Sequence, residues 1–246
     1  MNMELNVLDM YSDILNIYGD IGNLVSIKKR CQWRGIKVNQ KSFSVGEDNL
    51  NYEDIDLILI GGGSDQSQTI VSKNLLKQRN DLENYLNNDG VLLAICGSYQ
   101  MFGNKYDDVN GSKIPCLEIF DMETKSEQER LIGNILIENN LDLNPKTLVG
   151  FENHGGRTYH NYKTLGNVKI GFGNNEEAIG EGMVYKNFIG TYLHGAFLPK
   201  NPHVADYLIL NAIKNKYGVD EITPLNDSIE IQAHNTMVET LLNLNK

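Results

Sequence analysis

Apolar and polar positions divide the chain into two unlike halves. In the first half, short apolar stretches run nearly unbroken over residues 5–10, 56–60 and 91–95. Continuous rather than alternating apolarity predicts strands buried on both faces of a parallel sheet. Helical patterns separate them: one over about 24–34, ended by Gly35, and a long polar one over about 66–87. Residues 36–45 alternate like a further strand. Strand–helix–strand order predicts an open, mostly parallel α/β sheet, whose ligands gather beyond the carboxyl ends of the strands.

From about residue 112 to 195 the pattern changes to short strands with many Gly and Asn turns, expected at 131–138, 146–152, 168–172, 182–185 and 188–194. Helices are expected at 202–217 and 228–244. In the last helix Met237, Val238, Leu241, Leu242 and Leu244 mark one apolar side, the pattern of a terminal helix docking on the sheet. No internal repeat, low-complexity tract or Pro-rich linker interrupts the sequence, so 1–246 is expected to form a single domain.

Composition narrows the function classes only a little. The net charge of −10 is spread along the chain, which argues against a nucleic-acid backbone as partner. No stretch approaches the roughly 20 apolar residues that span a bilayer. The amino-terminal segment lacks the basic and apolar regions of a signal peptide. Cys31, Cys96 and Cys116 form neither a CxxC pair nor an even disulfide framework, so a reducing, cytoplasmic setting is expected.

The segment Ala94-Ile95-Cys96-Gly97-Ser98-Tyr99-Gln100 carries the strongest chemical signal. A buried strand delivers a cysteine into a tight turn that opens a helix, with small residues around it. That is the arrangement of a nucleophile elbow, where neighbouring backbones come too close for larger side chains. A helix N-terminus favours thiolate over thiol, and the Gly97 N–H is a candidate oxyanion donor. A buried structural cysteine at a strand end is the plainer alternative, and it is the reading for Cys31 and Cys116.

A cysteine nucleophile needs a base, usually histidine. His194 follows an apolar run, is followed by Gly195, and is the leading candidate; His154, in Glu152-Asn153-His154-Gly155-Gly156, is its rival. His160, His203 and His234 lie in loop or helix contexts without comparable signal. Gly61-Gly62-Gly63-Ser64-Asp65 ends another buried strand and lacks the features of a phosphate-binding loop. Its backbone is a candidate second oxyanion donor, or a plain strand-to-helix turn. No His, Cys and carboxylate cluster has metal-site spacing.

Taken together, Cys96 with its small neighbours, Gln100 and His194 resemble a class I glutamine amidotransferase. Gly190-Thr191-Tyr192-Leu193-His194-Gly195 resembles the cobyric acid synthase-like branch. Tyr18-Gly19-Asp20-Ile21-Gly22-Asn23-Leu24, Trp33-Arg34-Gly35, Gly61-Gly62-Gly63-Ser64-Asp65-Gln66 and Gly150-Phe151-Glu152-Asn153-His154-Gly155-Gly156-Arg157-Thr158 resemble the free-standing, GatD-type glutaminase subunits of lipid II isoglutaminyl synthases.

The resemblance implies a three-layer α/β fold and a cofactor-free glutaminase. Cys96 attacks the side-chain amide of L-glutamine, Gly62 and Gly97 amides hold the oxyanion, and His194 moves the protons. Gln100 helps hold the glutamine and Arg130 pairs with its carboxylate. The family often carries a glutamate two residues after the histidine; here that position is Ala196. The resemblance leaves a distant carboxylate or one donated by a partner subunit, and the second is favoured. The implied partner is a MurT-type, Mur-ligase-like subunit that binds ATP, magnesium and lipid II. It amidates the D-glutamate α-carboxylate to D-isoglutamine. Competing readings are a glutaminase for a cobyrinic or cobyric acid amide synthetase, a stand-alone cysteine hydrolase, and a non-catalytic module on the same fold.

Overall fold

A computed structural model of the chain describes residues 3–48, 50–177 and 179–244. Strand β1 (Glu4–Met10) leads through a short turn into α1 (Ile21–Trp33) and then β2 (Lys37–Phe43). After β3 (Leu57–Ile60) come α2 (Asp65–Leu75) and α3 (Arg79–Asn87), then β4 (Val91–Ile95) and the short α4 (Gly97–Met101). The single long helix expected over 66–87 is thus two helices, separated by a 3-10 turn at Leu76–Gln78. Val71, Leu75, Leu82 and Leu86 are all buried, and the turn lets both helices present them to the core.

The second half contains β5 (Lys105–Asp107), β6 (Lys113–Ile114), β7 (Met122–Asn139), β8 (Thr147–His160), β9 (Gly166–Ile170), β10 (Gly180–Glu181), β11 (Met183–Tyr185) and β12 (Phe188–Thr191). Helices α5 (Phe197–Lys200), α6 (Pro202–Tyr217) and α7 (Ser228–Leu244) close the order. Pro202 opens α6, where its missing N–H costs no helical bond, and Gly218 ends it in the left-handed region.

The strands form two sheets. In the central one, ordered β11-β12-β4-β3-β1-β2, every neighbouring pair is parallel except β11 with β12. Residues 57–60 and 91–95 are buried throughout, as continuous apolarity requires. The path β1–α1–β2 moves one way along this sheet and β3–α2–α3–β4 the other. Right-handed crossovers therefore put their helices on opposite faces, giving three layers. The second sheet is ordered β10-β9-β7-β5-β6, with β8 paired to β7.

Here the strands are longer than the sequence pattern indicates: β7 starts at Met122, nine residues before the expected Leu131, and β8 runs on to His160. The first part of β7, Met122-Glu123-Thr124-Lys125-Ser126-Glu127-Gln128-Glu129-Arg130, is polar enough to hide strand structure. Ladder hydrogen bonds to β8 hold it instead. The terminal helix docks on this second sheet, not the central one, placing Leu241, Met237 and Val238 against Leu136 and Val149. Leu242 and Leu244, assigned to the apolar side, stay exposed.

Candidate active site

Register in the central sheet brings four strand ends to one line: Met10 pairs with Ile60, Ile60 with Ala94, and Ile95 with Thr191. The chain leaves each strand there, and every reactive candidate follows one of these residues. Cys96 comes directly after β4 with φ 52° and ψ −111°, a conformation rare for a residue with a side chain. Holding it costs on the order of 1–3 kcal/mol and marks a backbone forced to aim its side chain. The Ser98 hydroxyl donates to the Ile60 and Ile95 carbonyls, each at 3.0 Å, locking the elbow to β3 and β4. A Cβ at Gly97 would lie 2.2 Å from Gln68 Nε2, so α2 packs where any larger residue would stand.

His194 lies beyond the end of β12, which stops at Thr191 rather than at the expected residue 194. Its backbone is fixed by a two-way bridge to Phe151 of β8, with His194 N–H donating to Phe151 O at 2.7 Å. A Cβ added at Gly62 would meet His194 Cε1 at 2.5 Å and Cys96 Cβ at 3.3 Å, which places ring, elbow and glycine loop in mutual contact. The two groups separated by about a hundred residues in sequence therefore meet over one cavity.

On the far side of the ring, Asp20 Oδ2 lies 3.3 Å from His194 Nδ1, both side chains being 1 % exposed. The pair has the distance of an ion pair without hydrogen-bond alignment, since neither His194 ring nitrogen has a hydrogen-bond partner among the described residues. Burial works against the imidazolium, but the Cys96 sulfur and the Asp20 carboxylate outweigh it, and His194 is raised to about 10. The orienting carboxylate expected from a partner is thus already present in this chain. Its position follows from two small residues. Ala196 replaces the usual glutamate, and a Cβ at Gly22 would lie 2.6 Å from Ala196 Cβ, so the start of α1 closes onto this loop and carries Asp20 to the ring.

One expected role is not met in this conformation. The Gly62 N–H donates to Asp20 Oδ2 at 2.8 Å instead of facing the cavity, and it is Gly63 that lines the wall. The carboxylate of Asp20, the residue immediately before α1, satisfies that donor.

The cavity between the sheets has a volume of about 310 Å³ and is lined by Cys96, His194, Gln100 and Arg130 together. Arg130 sits where β7 slips against β8: Ser126 pairs with Gly156 and Leu131 with His154, leaving 127–130 opposite Gly155 alone. Its guanidinium donates to the Asn153 side chain and carbonyl, both at 2.7 Å. Gln100, 2 % exposed, donates to the Tyr192 hydroxyl at 2.9 Å. His154, the rival base, also lines the cavity, but its ring stacks on Tyr192 at 3.7 Å and its Nδ1 is paired with Gly156 O. Neither Cys31 nor Cys116 lines this wall, and burial pushes both thiols up to about 12, the state of inert structural cysteines. Asp20 is not singled out by spacing, its turn-rich, family-like segment being the hint to it, whereas Gly63 belongs to the glycine loop already expected at the site.

Comparison with known proteins places the chain among glutamine amidotransferases. Residues 6–202 match the model of the CobB/CobQ-like glutamine amidotransferase domain. The GatD subunit of a glutamine-hydrolysing lipid II isoglutaminyl synthase from Staphylococcus aureus is 42 % identical, over 96 % of this chain and 96 % of its own. Its namesake from Streptococcus pneumoniae is 38 % identical, over 92 % of this chain and 87 % of its own. A probable cobyric acid synthase from Methanocaldococcus jannaschii is 33 % identical, but the match takes in only 34 % of that protein. Among solved structures, a glutamine amidotransferase from Thermotoga maritima superposes with a TM-score of 0.54 at 18 % identity, covering 97 % of this chain and 94 % of that one.

Proposed function

This chain belongs to the CobB/CobQ-like glutamine amidotransferase family, and from that premise we propose that it is the glutaminase subunit of a lipid II isoglutaminyl synthase. It acts as one glutamine amidotransferase domain in the cytoplasm. The Cys96 sulfur attacks the side-chain amide carbon of L-glutamine, and the Gly97 N–H receives the charge that develops on the oxygen. The Gly62 N–H joins it when its bond to Asp20 gives way. His194, held as imidazolium in the resting site, gives its proton to the departing ammonia as the tetrahedral intermediate collapses to a thioester. The neutral ring then takes a proton from water, whose oxygen attacks the thioester, and collapse releases glutamate and the Cys96 thiolate beside the restored imidazolium. Asp20 steadies the imidazolium as a positioning residue. Arg130 pairs with the α-carboxylate, for which a planar fork of N–H donors is suited, and Gln100 holds the substrate from α4.

Ammonia passes to a MurT-type ligase subunit, to which ATP, magnesium and lipid II binding are assigned. There it amidates the D-glutamate α-carboxylate of the stem peptide to D-isoglutamine. Support for this partner comes from the names and near-complete coverage of the two GatD relatives. The observation that carries the chemistry is the backbone-strained Cys96 facing His194 across a cavity that also holds Arg130 and Gln100. Co-expression with the neighbouring ligase, followed by assay of glutamate release, tests it. Cys96→Ala is expected to abolish release while leaving folding and partner binding intact; normal release from the variant would end the assignment.

A further inference from the structure

The cavity wall is electrically lopsided in a way the steps above leave unused. Among its lining residues only Asp65 carries a carboxylate and only Arg130 a guanidinium. Asp65 is the first residue of α2 and lines the same cavity as Arg130 of the β7 slip. Asp65 is exposed, but its carboxylate has a buried partner. The Tyr106 hydroxyl donates to Asp65 Oδ1 at 3.3 Å, and the Ser126 hydroxyl donates to Tyr106 at 3.0 Å. Tyr106 is 2 % exposed, and burial pushes its phenol well above the ordinary range, so it remains a donor. Ser126 is the last β7 residue paired before the slip, so one stretch of strand both aims Asp65 and presents Arg130.

A second observation points to the same ligand group. Gln68 lies three residues after Asp65 on α2, hence on the same helix face, and also lines the cavity. It is 2 % exposed; its Nε2 donates to Gly63 O at 3.2 Å, which leaves the buried Oε1 as its remaining acceptor. That oxygen has no partner among the described residues, and neither has Gln100 Oε1. Buried acceptors left without donors cost roughly 1–3 kcal/mol each until a ligand supplies them. A carboxylate with unpartnered carbonyl oxygens beside it suits a group with several N–H donors and a positive charge, and a free amino acid offers one: its α-ammonium.

Resting on the glutaminase reading above, we propose that Asp65 and Gln68 form the ammonium pole of the glutamine site, opposite the carboxylate pole at Arg130. The site thereby selects glutamine as a free zwitterion and discriminates against amides whose α-nitrogen is absent or acylated. Arg130 alone would not make that distinction.

Comparing L-glutamine with glutaramate, which keeps the carboxylate and amide but lacks the α-ammonium, tests this. Both are assayed with the full chain in complex with its ligase subunit, by release of glutamate or glutarate. Asp65→Asn is expected to raise KM for L-glutamine roughly ten- to a hundredfold, the scale of one hydrogen bond to a charged group. kcat should stay within about twofold, and kcat/KM for glutaramate should be unchanged, because that substrate has nothing for Asp65 to hold. Gln68→Leu should show the same substrate-dependent split with a smaller amplitude. Equal losses on both substrates would overturn the proposal and make Asp65 a structural residue; so would an unchanged KM for glutamine. No hydrolysis of glutamine by the unaltered complex would instead overturn the glutaminase reading, and this inference with it.

Discussion

The central sheet and the β7–β8 hairpin meet at one cavity but contribute to it in different ways. The groups proposed to make and break bonds follow strands of the central sheet: Cys96 after β4, the glycine loop after β3, Asp20 after β1 and His194 after β12. They stand at the aligned ends of strands of which β3 and β4 are apolar and buried throughout. The hairpin carries Arg130, proposed above to hold the substrate carboxylate, and presents it from a break in its ladder, with Asn153 accepting from its guanidinium. Rigid scaffolding thus fixes reaction geometry, whereas an interruption in pairing provides reach.

Substitutions on either side should therefore move different kinetic constants. On the central-sheet side, Asp20→Asn is expected to lower kcat by roughly a hundredfold with KM little changed, as removal of a charge that steadies an imidazolium does. Increased hydrolysis would instead mean that Asp20 chiefly withholds the Gly62 N–H. On the hairpin side, Arg130→Ala should raise KM for glutamine roughly thirtyfold and leave kcat near its original value; a fall in kcat alone would erase the division between the two regions.

The smallest effect belongs to the seam. Glu181 of β10 is wholly buried, accepts from the Tyr192 N–H at 2.7 Å and from the Thr191 hydroxyl, and so ties the second sheet to the end of β12. Burial raises its carboxyl to about 8 despite those bonds. Between about pH 4.5 and 8 the folded chain therefore keeps a proton that the unfolded chain has released, and this group's stabilisation declines as pH rises through that window. In melting experiments across the window, Glu181→Gln should lose less Tm with rising pH than the parent chain. Parallel curves would show that Glu181 does not set the slope.

The same division explains what could be read without coordinates. Residues 57–60 and 91–95 announce parallel strands because both faces are buried, and Cys96 follows such a run within a pattern of small neighbours. Arg130 was accessible only through resemblance, since Glu127-Gln128-Glu129-Arg130 has no periodicity at all. Asp20 stayed hidden for another reason. Its approach to His194 depends on the fit of Gly22 against Ala196, a contact across more than 170 residues that no local pattern records.

The pairing slip in β7 has a consequence for how such enzymes diversify. Regular hydrogen bonding resumes on both sides of it, at Ser126 with Gly156 and at Leu131 with His154. Side chains at 127–130 can therefore be exchanged without shifting the ladder on either side, while the buried Arg157 holds the Glu129 carbonyl in place. Descendants of this architecture can alter which amide is admitted while inheriting, untouched, the machinery that cleaves it.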